Sequence, residues 1–299
     1  MSKAHPLIQF IFLSGLLLYA ALSPAADDPF AELSLRAGFY TQSFPDFSVE
    51  DIEVSIKLLS EELGKDAGIS TQIIAYQDVD TMRQDFERGK INFVVASSLI
   101  LATQFDTQQF ADGFRFIRNG DATDRLLVLV QKKSGKTHLK DFRGKRLALA
   151  QHDPMSELYM DFLAWTTFKQ GYKASFKEIP RARKAHQLIL KLFFDQADIT
   201  SVYQTTYESA VELNPQLLGQ LHILAQIDGI PQGGGLFHKN TPTEFRERII
   251  QLAFDLNANP HGQQLLQLFK GDHAVRSSVA DLLPAKKLYD AHQRLVSGK

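Results

Sequence analysis

The sequence contains no cysteine, which excludes disulfides, thiolate nucleophiles, cysteine metal ligands and the acylated cysteine of a lipoprotein. Neither sign of charge is in surplus, because 33 Lys and Arg residues against 34 Asp and Glu residues leave a formal net charge of -1. Proteins that bind nucleic acid or membrane surfaces usually carry a basic surplus or basic blocks. The nine His residues show no metal-ligand spacing, and no G-x-S-x-G motif is present. We therefore expect no metal, no cofactor, no nucleic-acid partner and no catalytic activity.

Long hydrophobic runs are absent except at the N-terminus. Lys3 precedes the apolar run Leu7–Leu22, and the small residues Ser23-Pro24-Ala25-Ala26 follow it. A basic, an apolar and a small-residue segment in this order are typical of a cleaved secretory signal. An uncleaved membrane anchor is the alternative, but the run is short for a span of about 20 residues. We predict a signal peptide over residues 1–25 and release into the periplasm without lipidation.

Strand and helix patterns alternate along the rest of the chain. The predicted strands of the first half are Leu33–Tyr40, Thr71–Tyr76, Ile91–Ala96, Phe114–Ile117 and Leu126–Val130, and its helices are Val49–Leu63 and Asp78–Arg88. The second series has strands Leu147–Ala150, Ser175–Ile179, Ile199–Val202 and His222–Ala225, with helices Pro154–Lys169, Ala182–Phe194 and Thr205–Leu213. Such alternation predicts mostly parallel sheets flanked by helices. Beyond Gly233–His238 the pattern is predominantly helical.

Two successive series in 299 residues predict an α/β protein of two lobes with a ligand cleft between them. Each lobe is expected to be a mostly parallel sheet flanked by helices. Lobe 1 is predicted to comprise residues 26–130 and 226–299, and lobe 2 residues 131–225. The polar, glycine-containing segments Gln131–Lys136 and Ala225–Gly233 are the predicted crossings between the lobes.

Four segments carry a family resemblance. They are Gly38-Phe39-Tyr40 after the first strand, DVDTMRQDFERGKINFVVAS (Asp78–Ser97), SGKTHLKDFRGKRLALA (Ser134–Ala150), and AHQLILKLFFDQADITSV with His186 and Asp198. In this order the segments resemble the phosphate-, phosphite- and phosphonate-binding branch of type II periplasmic binding proteins. The resemblance implies a monomer that closes on a small solute, such as an oxyanion or a phosphonate-like compound, and delivers it to an ABC-type permease. A periplasmic sensor read by a membrane-bound kinase or cyclase is the alternative.

One segment departs from the family pattern. Phosphonate-binding members carry a Ser-Thr-Ser-Gly-type run at the start of the first helix of the second lobe, whereas this chain has QHDPMSEL from Gln151 to Leu158, in which Ser156 remains. Asp153 before Pro154 is a favourable N-cap, so its side chain is expected to accept the free helix amides itself. Glu157 is expected to add negative charge where an anion would bind. Tight phosphonate binding in the family's manner is therefore not expected.

Ligands of two-lobed α/β proteins approach the carboxyl ends of strands and the N-termini of helices. By this criterion the predicted ligand-binding residues are Tyr40, Gln42, Ser97, Ser98, His152, Ser156, His186, Tyr203 and Asp228. Core packing of the tyrosines and helix capping by the serines are the alternatives. Asp78 and Asp80 are interpreted as acids at a helix N-terminus rather than a metal pair. The run Gly233-Gly234-Gly235 indicates close backbone approach or a hinge rather than a phosphate loop.

Overall fold

The computed structural model describes residues 34–44, 50, 53–55, 57–59, 61, 69–117, 123–231, 233–258, 260–268 and 271–298. The predicted signal peptide, and seven of the 15 residues of the predicted helix Val49–Leu63, lie outside the described residues. The strands are β1 Ser34–Tyr40, β2 Ser70–Tyr76, β3 Phe93–Ala96, β4 Phe110–Ala111, β5 Gly113–Ile117, β6 Asp124–Gln131, β7 Leu147–Ala150, β8 Arg181–Ala182, β9 Ile199–Tyr203, β10 Leu221–Ile230, β11 Gly234–His238 and β12 His273–Ser277. The helices are Val79–Glu87, Ser98–Gln104, Pro154–Phe168, Tyr172–Ser175, His186–Phe193, Gln204–Leu213, Gln216–Gln220, Thr243–Asp255, Pro260–Leu268 and Leu283–Ser297.

The first sheet has the strand order β2-β1-β3-β11-β4. β1 is parallel to β2 and β3, so Tyr40 and Tyr76 lie side by side at the carboxyl ends of β1 and β2. β11 is antiparallel to β3 and β4. Buried aromatic rings fill the core beneath this sheet, including a stacked pair of Phe93 and Phe114 with centroids 5.0 Å apart. Rings of this size contribute much of the apolar area that a lobe buries.

The second sheet has the order β10-β6-β9-β7-β8. β7 is parallel to β8 and β9, whereas β6 is antiparallel to β9 and β10. Leu126–Val130 in β6 is almost completely buried, as expected for a strand covered on both faces. The prediction of an α/β fold with sheets flanked by helices is confirmed. A separate two-stranded sheet pairs β5 with β12, and β12 was not predicted.

The chain changes sheet at different points from those predicted. Because β6 and β10 both pair within the second sheet, the outward crossing lies between Ile117 and Asp124, and the return lies between Ile230 and Gly234. The segment Gln131–Lys136 instead ends β6 and forms a turn inside the second lobe. An apolar strand before a polar turn looks the same in sequence whichever sheet it joins, since pairing partners are set by tertiary contacts.

The structure differs from the sequence-based prediction around the predicted strand Ser175–Ile179. The helix Tyr172–Ser175 occupies its start, because the carboxylate of Asp161 accepts the amide of Tyr172 at 2.7 Å and holds that turn. The edge strand is the shorter β8 farther along the chain. The predicted helix starting at Ala182 begins at His186, because Ala182 belongs to β8.

The C-terminal helix Leu283–Ser297 packs against both Ser98–Gln104 of the first lobe and Pro154–Phe168 of the second. A hydrogen bond of 2.6 Å joins His292 Nε2 to the carboxylate of Asp161. The helix Leu283–Ser297 thus bridges a helix of each lobe. In the described part of the chain, no helix is both long and apolar enough to cross a bilayer.

Candidate functional site

A cleft of about 210 Å³ opens where the carboxyl end of β1 faces the carboxyl end of β7. Its lining residues are Tyr40, Gln42, Ser43, Ile100, His152, Asp153, Pro154 and Glu157. The first four belong to the lobe of the first sheet and the last four to the lobe of the second. Strand ends and helix N-termini meet here because parallel strands direct their following loops to one edge of a sheet. The cleft is therefore the place where both lobes can contact one solute.

On the first wall, Tyr40 ends β1 and the turn Thr41–Ser43 follows it. The Tyr40 hydroxyl donates to Gln42 Oε1 at 3.0 Å, and Gln42 Nε2 donates to the carbonyl of Gln77 at 3.3 Å. Burial, together with the nearby charge of Asp78, raises the pKa of Tyr40, so the phenol is neutral at physiological pH. This wall offers an aromatic face and an amide.

On the second wall, Asp153 caps the helix Pro154–Phe168, with Pro154 at its first position. The Asp153 carboxylate accepts the amide of Ser156 at 3.0 Å and its hydroxyl at 2.5 Å. Ser156 is completely buried. The predicted capping role of Asp153 is thus confirmed. Burial raises the pKa of Asp153 despite these bonds, and the charge of Glu157 adds to the rise.

Glu157 does not leave a free negative charge beside the cap, contrary to the sequence-based expectation. Its carboxylate accepts Arg181 Nη1 at 2.6 Å and the hydroxyl of Tyr172 at 3.0 Å. Arg181 Nη1 also donates to the carbonyl of Ala150 at the end of β7. The compensating arginine comes from β8, 24 residues away in sequence, so a local pattern could not reveal it.

His152 follows β7 with its side chain exposed and its backbone in the left-handed region at φ 55°. A non-glycine residue seldom adopts this conformation, and such residues are concentrated at functional sites. The turn Gln151-His152 lets the chain reverse from β7 into the helix while the imidazole stays at the mouth of the cleft. Of the predicted residues, His152 is thus brought together with Tyr40 and Gln42.

The serines among the predicted residues are occupied by local structure. Ser98 donates to the carbonyl of Pro231 at 2.6 Å and is buried. The amide of Ser97 donates to Ser43 Oγ at 2.9 Å, and the buried hydroxyl of Ser97 has no partner within the described chain. Ser97, Ser98 and Ser156 are not among the lining residues; they lie directly behind residues that are.

The remaining predicted residues lie away from the described lining. His186 is exposed at the start of its helix. Asp228 forms an ion pair with Arg125 of the neighbouring strand. Tyr203 ends β9 behind the second wall, and burial raises its pKa well above the ordinary value, with Asp153 and Asp124 adding to the rise. Tyr203 therefore lies close enough to Asp153 for the two side chains to interact electrostatically.

Residues missed by the sequence-based choice of ligand contacts are Ser43, Ile100, Asp153, Pro154 and Glu157. Asp153 and Pro154 carry a recognisable N-cap signal, but it was interpreted as local capping only. Within the described ranges, no three His, Asp or Glu residues are grouped to hold a metal ion. Among the described lining residues there is also no Lys or Arg, so the walls offer aromatic, amide, imidazole and carboxylate groups.

Comparison with protein families gives one match. The model of the phosphonate-binding family, described as the periplasmic substrate-binding protein of a phosphonate ABC transporter, matches residues 43–282. That range includes the second wall and most of both sheets. None of the curated proteins compared with the chain matches it.

Solved structures share the fold across nearly the whole chain. A binding-protein component of an ABC phosphonate transporter from Pseudomonas aeruginosa superposes with a TM-score of 0.61 at 14% identity, covering 89% of this chain and 88% of that one. PhnD1 from Prochlorococcus marinus, in complex with methylphosphonate, gives 0.60 at 14% identity, covering 90% and 99%. XAC2383 from Xanthomonas citri, bound to chloride ion, gives 0.63 at 12% identity, covering 90% and 100%. At these identities the likeness describes the fold.

Proposed function

The chain belongs to the phosphonate-binding family of periplasmic ABC-transporter substrate-binding proteins, and from that premise we propose that the cleft between β1 and β7 is where it captures its solute. The observation that carries the proposal is that one cavity is lined by strand ends of both sheets. A solute that touches both walls binds the closed arrangement more strongly than an open one. Binding therefore shifts the population toward closure.

Tyr40, Gln42 and His152 are proposed as direct ligand contacts. Tyr40 offers a ring face, Gln42 an amide, and His152 an imidazole at the mouth of the cleft. Ser98 and Ser156 would support the walls, since their hydroxyls donate to Pro231 and Asp153, and Ser97 would do so through its backbone amide, which donates to Ser43.

The two connections between the sheets are the proposed hinge. They lie between Ile117 and Asp124 and between Ile230 and Gly234, so the lobes rotate about these segments. Accordingly, β6 and β10 move with the second lobe. The bond from Ser98 to the carbonyl of Pro231 ties the return segment to the first lobe and limits its motion. A few loop residues are enough to absorb such a rotation.

We further propose that the protein acts as a monomer without catalytic activity, exported by cleavage of residues 1–25. Both walls of the cleft come from one chain, so a second copy is not required. The hydrogen bonds of the described lining residues serve loop closure, helix capping and charge pairing. An ABC permease is the partner that the family implies.

A thermal-shift screen of protein purified after export tests this function. Phosphonates, phosphate, other oxyanions, amino acids and amines form the panel, and a solute at 100 times its Kd stabilises the fold by about 2.7 kcal/mol. We expect at least one solute to raise the unfolding temperature, and Tyr40→Ala and His152→Ala to weaken its binding at least tenfold.

His186→Ala is the matched control, because His186 is equally exposed but lies away from the lining. It should bind the solute like the unchanged protein. Equal affinity in Tyr40→Ala, His152→Ala and the control would place the solute elsewhere. Failure of the whole panel to bind would contradict solute capture in this cleft.

A further inference from the structure

We propose that Asp153 determines the charge selectivity of the cleft: it selects a solute that carries an ammonium group and rejects phosphonate and phosphate dianions. The inference rests on the proposed function, since it assigns the solute class of that same cleft. It concerns a residue that lines the cavity and that the ligand-contact prediction had left out.

The first step is the occupation of the helix N-terminus. The free amides at the start of a helix are a ready anion site. Here the Asp153 carboxylate already accepts the amide of Ser156 at 3.0 Å and its hydroxyl at 2.5 Å. A phosphonate oxygen would have to displace this carboxylate and then remain beside it.

The second step is the balance of charge on the second wall. Glu157 is paired with Arg181 at 2.6 Å, so that pair is neutral. Asp153 has a serine as its partner and takes part in no ion pair of the described chain. No described lining residue is Lys or Arg, so Asp153 lines the cleft without a counter-ion among the described residues.

The third step is the energetics of that carboxylate. Burial disfavours its charged form, as the raised pKa of Asp153 shows. An ammonium group beside Asp153 stabilises the charged carboxylate that burial disfavours, because opposite charges attract more strongly in a partly desolvated cleft than in water. A dianion has the opposite effect. The ring of Tyr40 on the facing wall is also complementary to a cation, because the face of an aromatic ring is electron-rich.

Two substitutions of Asp153 test separately its attraction of an ammonium group and its exclusion of dianions. Asp153→Asn keeps a good N-cap but removes the charge, and Asp153→Ser keeps a cap while clearing space over the amides. Titration calorimetry at constant ionic strength would use ethanolamine and putrescine as amine probes and methylphosphonate and inorganic phosphate as anion probes. Unfolding temperatures without ligand report whether each variant folds.

We expect the unchanged protein to bind an amine probe and to show no binding of methylphosphonate at millimolar concentration. Asp153→Asn should weaken amine binding at least tenfold, and Asp153→Ser should gain at least tenfold in methylphosphonate affinity. Glu212→Gln is the charge-matched control, because Glu212 is exposed on another helix of the same lobe. It should leave both affinities unchanged.

Three results would overturn the proposal. Methylphosphonate bound by the unchanged protein as tightly as by Asp153→Ser would show that Asp153 does not exclude dianions. Amine binding unchanged in Asp153→Asn would reject the ammonium partner while leaving the cleft as a solute site. Absence of any binding of these four probes, in the unchanged protein and in Asp153→Ser alike, would reject this inference, whereas the proposed function fails only if the whole thermal-shift panel is negative as well.

Discussion

His238 at the end of β11 is predicted to make the stability of the fold depend on pH between pH 5 and 7. The residue is 3% exposed, and its ring contacts that of Phe86 edge to face with centroids 4.8 Å apart. Its Nδ1 accepts the amide of Asn240 at 3.2 Å. Burial lowers the pKa of His238 to about 4, and the charge of Lys239 adds to the effect.

The sign follows from comparing the folded and unfolded chains. An unfolded His has a pKa near 6.5, so below that pH the unfolded chain takes up a proton that the folded chain refuses. Protonation therefore favours unfolding as the pH falls. With pKa values of about 6.5 and 4, linkage gives a loss of about 2 kcal/mol in the free energy of unfolding between pH 7 and pH 5.

Urea unfolding at pH 5, 6 and 7 measures this loss, and His238→Asn provides the comparison. Asn retains an acceptor for the amide of Asn240 but does not titrate, so the variant should lose less stability than the unchanged protein over this range, by about 2 kcal/mol. The difference in stability between the unchanged protein and His238→Asn at each pH cancels the contributions of other titrating groups. One of these is Asp153, whose raised pKa makes the fold more stable as the pH falls. His222→Gln, at an exposed position, should keep the full pH dependence. Parallel curves for the unchanged protein and His238→Asn would refute the assignment.

Two further substitutions test the packing. Gly235→Ala would place a Cβ 2.0 Å from the Phe93 ring, so urea unfolding should show a loss of about 1–3 kcal/mol in stability. The control is Gly219→Ala, at a helix position where a Cβ would have nothing within 4 Å. This control should be neutral or stabilise the protein by up to about 1 kcal/mol. Ser98→Ala removes the donor to the buried carbonyl of Pro231 and should cost about 1–2 kcal/mol; no loss of stability in the same measurement would mean that this carbonyl finds another partner.

Elements whose signal is local could be predicted from the sequence. β1 was predicted within one residue, because alternating apolar residues end at a polar turn. The helix Val79–Glu87 was predicted with one extra residue at each end, and Asp78, expected to be an acid at its N-terminus, caps it by accepting the amide of Thr81. The close approach predicted for the glycine run is observed at Gly235. For β1 and the helix the physical cause lies in residues that are neighbours in the sequence, whereas the close approach at Gly235 involves Phe93 of another strand.

The candidate site was predicted in part. Tyr40, Gln42 and His152 lie on the cleft because each follows a strand whose carboxyl end must face it. His186 begins a helix and Asp228 lies within β10 rather than after it, and neither is among the described lining residues. The ion pair between Arg181 and Glu157 forms because β8 pairs with β7. No local sequence pattern specifies that strand pairing.

By itself, the sequence determined the α/β class, the absence of cysteine chemistry and the carboxylate cap at the start of Pro154–Phe168, because composition, periodicity and capping act over a few residues. Tertiary structure alone decided which sheet β6 joins, between which strands the chain passes from one sheet to the other, and which carboxylate of the second wall has a counter-ion among the described residues. Those outcomes depend on contacts between segments far apart in the chain: β6 with β10, and Glu157 with Arg181. Charge compensation through space thus leaves Asp153, rather than Glu157, as the lining acid that has no ion pair among the described residues.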